Sequence, residues 1–253
     1  MRGPGGDSGF KDHFSRQSAD YRRFRPGYPA ALLDFVASLA PARRLAVDCA
    51  TGNGQAAGGL AARFDRVVAV DGSRDQLAHA EPHARVRYVA ALAERLPLRD
   101  GCADLLVAAQ AAHWFDFARF YAECRRVLVP GGAVALWTYE KFRAGDAVDA
   151  VVDEFYDGVI GPYWPPERRY VEQAYRTLPF PLSELPAPAL ELATEWDLDR
   201  LMGYLATWSA VQRFRDRRGI DPLPALRSRL EGCVQPGGTL RLRWPIHLRV
   251  GRA

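Results

Sequence analysis

The order of apolar and polar positions divides the chain into two regimes. Between residues 30 and 140, short apolar runs alternate with helical patterns: "LAVDCA" (45–50), an Ala-rich stretch over 55–64, "RVVAVD" (66–71), a helix through Ala80, and "VRYVAA" (86–91). Next come "ADLLVAAQ" (103–110), a helix from about Asp116 to Leu128, and "GAVALWTY" (132–139) after the turn Pro130-Gly131-Gly132. Strands that alternate with helices through tight turns build a parallel sheet. The runs are continuously apolar, as expected of strands covered on both faces. This regime predicts a doubly wound α/β fold.

After Glu140 the pattern changes. Residues 141–189 are rich in aromatics and proline ("GPYWPPERRY", "LPFPLSELPAP"), which predicts an irregular helical insertion over the sheet rather than another strand–helix unit. Two later runs, "ALELATEWD" (189–197) and "TLRLRWPIHLRV" (239–250), flank a helix at about 198–215 and read as closing strands. The expected division is a tail over 1–9 and a single domain over 10–253. Within that domain lie a cap (10–30), a core (31–140), a lid (141–189) and C-terminal strands with a helix (190–253). A chain of 253 residues suits one large α/β domain with a lid.

Composition removes several classes. Hydrophobic residues make up 48% and charged residues 25%, and no apolar run approaches the roughly 18 residues of a membrane span. The net charge is +4, but the arginines fall in scattered pairs (Arg22 and Arg23, Arg125 and Arg126, Arg168 and Arg169). That spacing points to solvated faces or small anionic ligands, not to a nucleic-acid groove. The four cysteines show no CxxC spacing and read as reduced, and "MRGPGGDSG" lacks the apolar stretch of a signal peptide. A cytoplasmic setting follows, with no membrane partner, no metal and a small-molecule substrate. Oligomeric state is not written in these patterns.

Candidate chemistry gathers at strand ends. In "AVDCATGNGQAA" (46–57) a carboxylate, Asp48, precedes a turn in which Gly52 and Gly54 let a ligand approach the main chain. About twenty residues on, Asp71 ends the next strand, where a carboxylate can accept two hydrogen bonds from ribose hydroxyls. Together these describe a nucleoside pocket at the carboxyl edge of a parallel sheet. Gly52-x-Gly54-x-x-Ala57 also satisfies the dinucleotide fingerprint, so a nicotinamide-dependent oxidoreductase is an alternative. Asp48 argues against it: a carboxylate there disfavours a pyrophosphate and suits a cationic amino or sulfonium end. The pI near 9.0 raises a second alternative, a nucleic-acid methyltransferase or RNA-binding module.

"VDCATGNGQAA" with "VVAVD" resembles the first two cofactor motifs of class I S-adenosylmethionine-dependent methyltransferases. "SADYRRFRPGYP" (18–29) and "AERLPLRDGCADLLVAAQAAHWFD" (93–116) are similar to the small-molecule branch that contains trans-aconitate methyltransferase-like enzymes. The resemblance implies a Rossmann-like, seven-stranded, mostly parallel sheet whose last strand is antiparallel, with helices on both faces. It implies S-adenosyl-L-methionine as cofactor and transfer of its methyl group to a small molecule, a carboxylate or a hydroxyl. By the same resemblance Asp48, Ala50, Gly52 and Gly54 surround the methionine part, Asp71 the ribose, and Gly72 with Ser73 the adenine. Leu92, Ala93 and Glu94 line the adenine's other side, and Tyr21 covers the cofactor. Ala50 stands where the family usually has a glycine. Gln110, His113 and Trp114 follow the fourth strand, where the transferred methyl lies. An ordinary histidine pKa near 6.5 would let His113 take a proton from an acceptor hydroxyl.

Overall fold

The computed structural model describes residues 24–235 and 237–253. Its first half converts the apolar runs into parallel strands: α1 (Ala30–Ser38), β1 (Leu45–Cys49), α2 (Gln55–Ala61), β2 (Arg66–Asp71), α3 (Arg74–Ala78), β3 (Val86–Ala90), β4 (Ala103–Ala109), α4 (Phe117–Val127) and β5 (Leu128–Tyr139). The sheet order is β3-β2-β1-β4-β5, all parallel. The chain builds outward from β1 through β2 to β3, then crosses back to lay β4 on the other side of β1. A crevice opens where the winding reverses, at the carboxyl ends of β1 and β4.

Each face of the sheet is buried, which explains the lack of alternation. Val47, Val70, Leu106, Val134 and Leu136 pack with Phe120 and Tyr121 of α4, while Val67, Leu105, Val107 and Trp137 pack on the opposite side with α1 and α2. One charge is sealed inside: Asp104 is fully buried and accepts hydrogen bonds from the backbone N–H groups of Arg44 and Leu45 at 3.0 Å each and from Arg44 Nη2 at 3.1 Å. It pins the entrance of β1 against β4. The Pro130-Gly131-Gly132 turn persists as a bulge, because the β4 partner jumps from Leu128 opposite Ala103 to Ala133 opposite Leu105.

The second half holds α5 (Asp146–Glu154), α6 (Arg168–Glu172), β6 (Ser183–Leu185), β7 (Leu190–Trp196), α7 (Leu198–Ala206), α8 (Ser209–Arg218), α9 (Leu223–Glu231) and β8 (Leu240–Arg252). β8 runs antiparallel beside β5, as the closing strand should. β6 and β7 both pair with its outer edge, end to end. Leu185 faces Val250 and Leu190 faces Ile246, so residues 186–189 oppose only 247–249. The extra residue lies in Pro186-Ala187-Pro188-Ala189, and a proline has no N–H for a ladder. The sheet has eight strands rather than seven because one strand is broken by prolines.

The single helix expected at 198–215 is likewise two. Thr207 Oγ1 donates to the Tyr204 carbonyl at 2.6 Å, and Trp208 is extended (φ −71, ψ 129) with its indole buried. That indole packs edge-on against Tyr156 and Tyr204 at 5.5 and 5.9 Å, so tertiary packing overrides helical continuity.

Candidate functional site

The turn after β1 is shaped by three positive-φ residues, Ala50 (φ 54), Gly52 (φ 57) and Gly54 (φ 90), and Gly54 opens α2. A side chain at Gly54 would overlap the Tyr88 hydroxyl, so the loop requires its glycine. Asp48 lies beneath the turn, fully buried, with Oδ2 accepting from Thr51 Oγ1 at 2.6 Å. Its Oδ1 has no hydrogen-bond partner, and neither has the buried Asn53 Nδ2. Burial pushes the Asp48 carboxyl up to about 7 against the opposing pull of the Thr51 hydrogen bond. A cation at Oδ1 would favour the ionised form and satisfy the orphaned oxygen.

Asp71 ends β2 on the same side. Its Oδ2 accepts from the Gly52 N–H and its Oδ1 from the Ser73 N–H, both at 2.8 Å. This acid therefore fixes the glycine turn and the start of α3 together, while Ser73 Oγ caps that helix by accepting from Gln76 N at 3.2 Å. The charge of Asp71 acts on Asp48, since β1 and β2 end side by side. Gly72 is half-buried between them and the helix. Across the opening, Leu92 and Glu94 are half-buried and Ala93 buried, in the turn after β3. Glu94 Oε1 accepts from the backbone N–H of Asp116 at 3.0 Å, which ties this turn to the start of α4.

At the end of β4 the environment becomes aromatic. Gln110 (φ 57) is braced by β5: its Nε2 donates to the Tyr139 carbonyl at 2.9 Å and its Oε1 accepts from Thr138 Oγ1 at 2.6 Å. His113 and Trp114 lie in the short 3-10 turn Ala112–Trp114. They line a cavity with Arg25, Tyr139, Trp164, Arg168 and Trp208. His113 Nδ1 lies 2.8 Å from the Tyr175 hydroxyl. Burial, then the Arg168 charge, pushes the imidazole down to about 3. The expected proton acceptor of ordinary basicity is thus a neutral ring, because the insertion covers it and brings a cation near it.

Arg168 stacks its guanidinium on Trp164 at 4.5 Å and donates from Nε to the Tyr156 hydroxyl at 2.8 Å. Among the described residues its two terminal nitrogens have no hydrogen-bond partner. The buried Trp164 Nε1 has none either. The cavity is therefore lined by the Arg168 guanidinium beside the Trp164 indole.

The structure brings Asp48, Ala50, Gly52, Gly54, Asp71, Gly72, Ser73, Leu92, Ala93 and Glu94 to one end of the sheet, with Gln110, His113 and Trp114 beside them. Tyr21 lies outside the described residues. Thr51, Asn53, Tyr88 and Tyr175 were not singled out by the sequence; Thr51, three residues after Asp48 in the glycine turn, carried a usable signal. Tyr175 carried none, since 62 positions separate it from His113. The buried, orphaned Asp48 oxygen beside an open backbone turn fits the amino-acid end of S-adenosylmethionine. No group of metal-ligating side chains occurs among the described residues.

Comparison with known proteins places this geometry in context. A family model described as a methyltransferase domain matches residues 47–136. A protein of Dictyostelium discoideum named as a methyltransferase is 32% identical over 225 residues, 87% of this chain and 86% of that one. A Saccharomyces cerevisiae protein named as an S-adenosylmethionine-dependent methyltransferase is 28% identical over 132 residues, 49% of this chain and 45% of its own. A solved structure from Anaeromyxobacter dehalogenans, described as a type II methyltransferase, superposes with a TM-score of 0.84 at 49% identity, covering 90% of this chain and 98% of that one.

Proposed function

Because the chain belongs to the class I S-adenosylmethionine-dependent methyltransferases, we propose that its acceptor is the carboxylate of a small, partly apolar molecule held between Trp114, Trp164 and Trp208. One observation carries the reading: Arg168 lines this cavity and, among the described residues, its two terminal nitrogens have no hydrogen-bond partner, in the forked arrangement that suits a carboxylate. A carboxylate is nucleophilic at neutral pH and needs no base, which agrees with the weakly basic His113. A hydroxyl acceptor would need a base, and with His113 so weakly basic only the Glu140 carboxylate on this wall could serve.

S-adenosylmethionine supplies an electrophilic methyl group on a cationic sulfur. Asp48 and the Ala50–Gly54 backbone would hold its amino-acid end, Asp71 the ribose, and Gly72, Ser73, Leu92, Ala93 and Glu94 the adenine. Arg168 and the indoles would hold the acceptor oxygen toward the cofactor's methyl group, and a carboxylate there would have no proton to lose. Fixing two reactants in such geometry supplies roughly 7 to 11 kcal/mol of the barrier reduction.

Small-molecule use is further supported by the arginines, many of which are consumed locally. Arg44, Arg126, Arg215, Arg227, Arg229 and Arg249 each pair with a carboxylate and present no continuous basic groove. No helix among the described residues is long and apolar enough to cross a membrane.

Incubation with methyl-labelled S-adenosylmethionine and a panel of aryl and alkyl carboxylic acids, with matched alcohols and amines, tests the reading. A base-labile methyl ester is expected, and Arg168→Lys should raise KM by about tenfold, or about 1.4 kcal/mol. Transfer to the alcohols or amines alone would overturn it.

A further inference from the structure

We propose that Tyr175 holds His113 in the tautomer protonated on Nε2, so that the imidazole meets the acceptor as a hydrogen-bond donor and not as a base. The inference rests on the methyl-transfer reading for its purpose, though not for its geometry. It is carried by how the hydrogens around Tyr175 are arranged.

The Tyr175 side chain is fully buried, and its oxygen lies 2.8 Å from His113 Nδ1. Among the described residues His113 Nδ1 is the hydrogen-bond partner of that oxygen, and a buried phenol proton left without an acceptor would be costly. Thr138, also beside it, gives its own proton to Gln110 Oε1 at 2.6 Å, and Gln110 is fixed in that orientation because its Nε2 donates to the Tyr139 carbonyl. The phenol proton therefore goes to Nδ1. A neutral imidazole that accepts at one nitrogen carries its proton on the other. Nε2 has no partner among the described residues, is absent from the sealed polar atoms, and belongs to a ring that lines the acceptor cavity. It presents an N–H to whatever oxygen enters.

The backbone beneath supports the assignment independently. Ala174 (φ 56) and Tyr175 (φ 57) are consecutive residues in the left-handed region, a conformation that side-chain-bearing residues keep only when their surroundings impose it. That double turn follows α6 and delivers the Tyr175 hydroxyl to the histidine. It lies on the element that carries Arg168, so one segment supplies both the cation at the cavity and the group that orients the second donor. The charged groups around the ring are Arg168 and Glu167 from the insertion, with Glu140 at the end of β5 and Arg25 on the cavity's far wall. Burial, and after it the Arg168 charge, opposes protonation of the ring, which keeps the donor neutral across the working range.

The consequence is a restriction on substrate class. A donor at Nε2 stabilises an acceptor that arrives with its lone pair already free, such as a carboxylate, and gives no help to an alcohol or an ammonium that must first lose a proton. Tyr175 is then a positioning residue that acts through His113.

Nitrogen NMR on protein labelled with 15N in its five histidines reads the tautomer directly, in the presence of S-adenosylhomocysteine and without any acceptor. His113→Gln identifies the resonances by their loss. The expected spectrum shows the proton on Nε2 of His113 with no titration between pH 5 and 8, and Tyr175→Phe should move that proton population toward Nδ1. A wild-type proton on Nδ1, or a titration midpoint inside that range, would overturn the proposal. Because the spectrum needs no acceptor, a failure to form methyl esters in the preceding assay would sink the carboxylate reading and leave this result standing.

Discussion

Among the described residues, the four non-glycine positions with positive φ are Ala50, Gln110, Ala174 and Tyr175, and all four border the crevice or its histidine. Left-handed backbone costs a side-chain-bearing residue roughly 1–2 kcal/mol, partly offset for glycine by its greater freedom when unfolded. Ala50→Gly should therefore raise unfolding stability by up to about 1 kcal/mol in urea denaturation, with the turn unchanged. Asp48 carries a second stored cost. Its carboxyl lies near 7 when folded against 3.8 ordinarily, so the folded state binds more protons in that window and stability falls as pH rises from about 4 to 7. Buried His113, held near 3, has the opposite sign and loses stability as pH falls below its ordinary 6.5. Asp48→Asn removes the first effect: pH-dependent denaturation should show the variant more stable than wild type at pH 8 by about 4 kcal/mol, while calorimetry shows weaker S-adenosylhomocysteine binding. Asp71→Asn should weaken that binding more than tenfold, and a smaller change would remove the ribose assignment. Asparagine is the milder replacement because its one carbonyl oxygen can still accept from either Gly52 N–H or Ser73 N–H, whereas alanine would release both. These acids were legible in the sequence, since a strand end and its turn are contiguous. The Tyr175 partnership was not, since it depends on a long-range fold contact.

Elements were legible where period and punctuation agreed. The five parallel strands followed from apolar runs bounded by turns, because burial on both faces leaves a local signature. Breaks imposed from outside were not. The helix expected over 198–215 parts at Thr207 and Trp208 because the indole is needed among Tyr156, Trp164 and Tyr204, partners that lie in other segments. Trp208→Ala should destabilise the protein by about 3–5 kcal/mol, measured by chemical denaturation, and open the acceptor cavity on the side of α8. Asp104 joins elements differently. Its replacement by alanine leaves the Arg44 and Leu45 N–H groups without their acceptor in a partly buried place, so a loss of about 1–3 kcal/mol is expected in the same measurement.

At the scale of the molecule, the doubly wound, mostly parallel sheet and its antiparallel closing strand were foreseeable from element order together with the family resemblance, whereas the walls of the acceptor cavity were not. They come from β4, β5, the insertion and the α7–α8 junction, and no local pattern links those segments. The outer flank of the sheet carries a further implication. Residues 183–196 would otherwise form one long open border along β8, the kind of surface onto which a foreign strand can zip. Pro186 and Pro188 punctuate it, denying two amide donors to any newcomer and forcing a kink that a straight intruder cannot follow. Replacing both with valine should leave the melting temperature nearly unchanged yet hasten fibril-like clumping on heating, followed by light scattering. The prolines that split this border would thus deny a second copy an unbroken run of amides to zip onto.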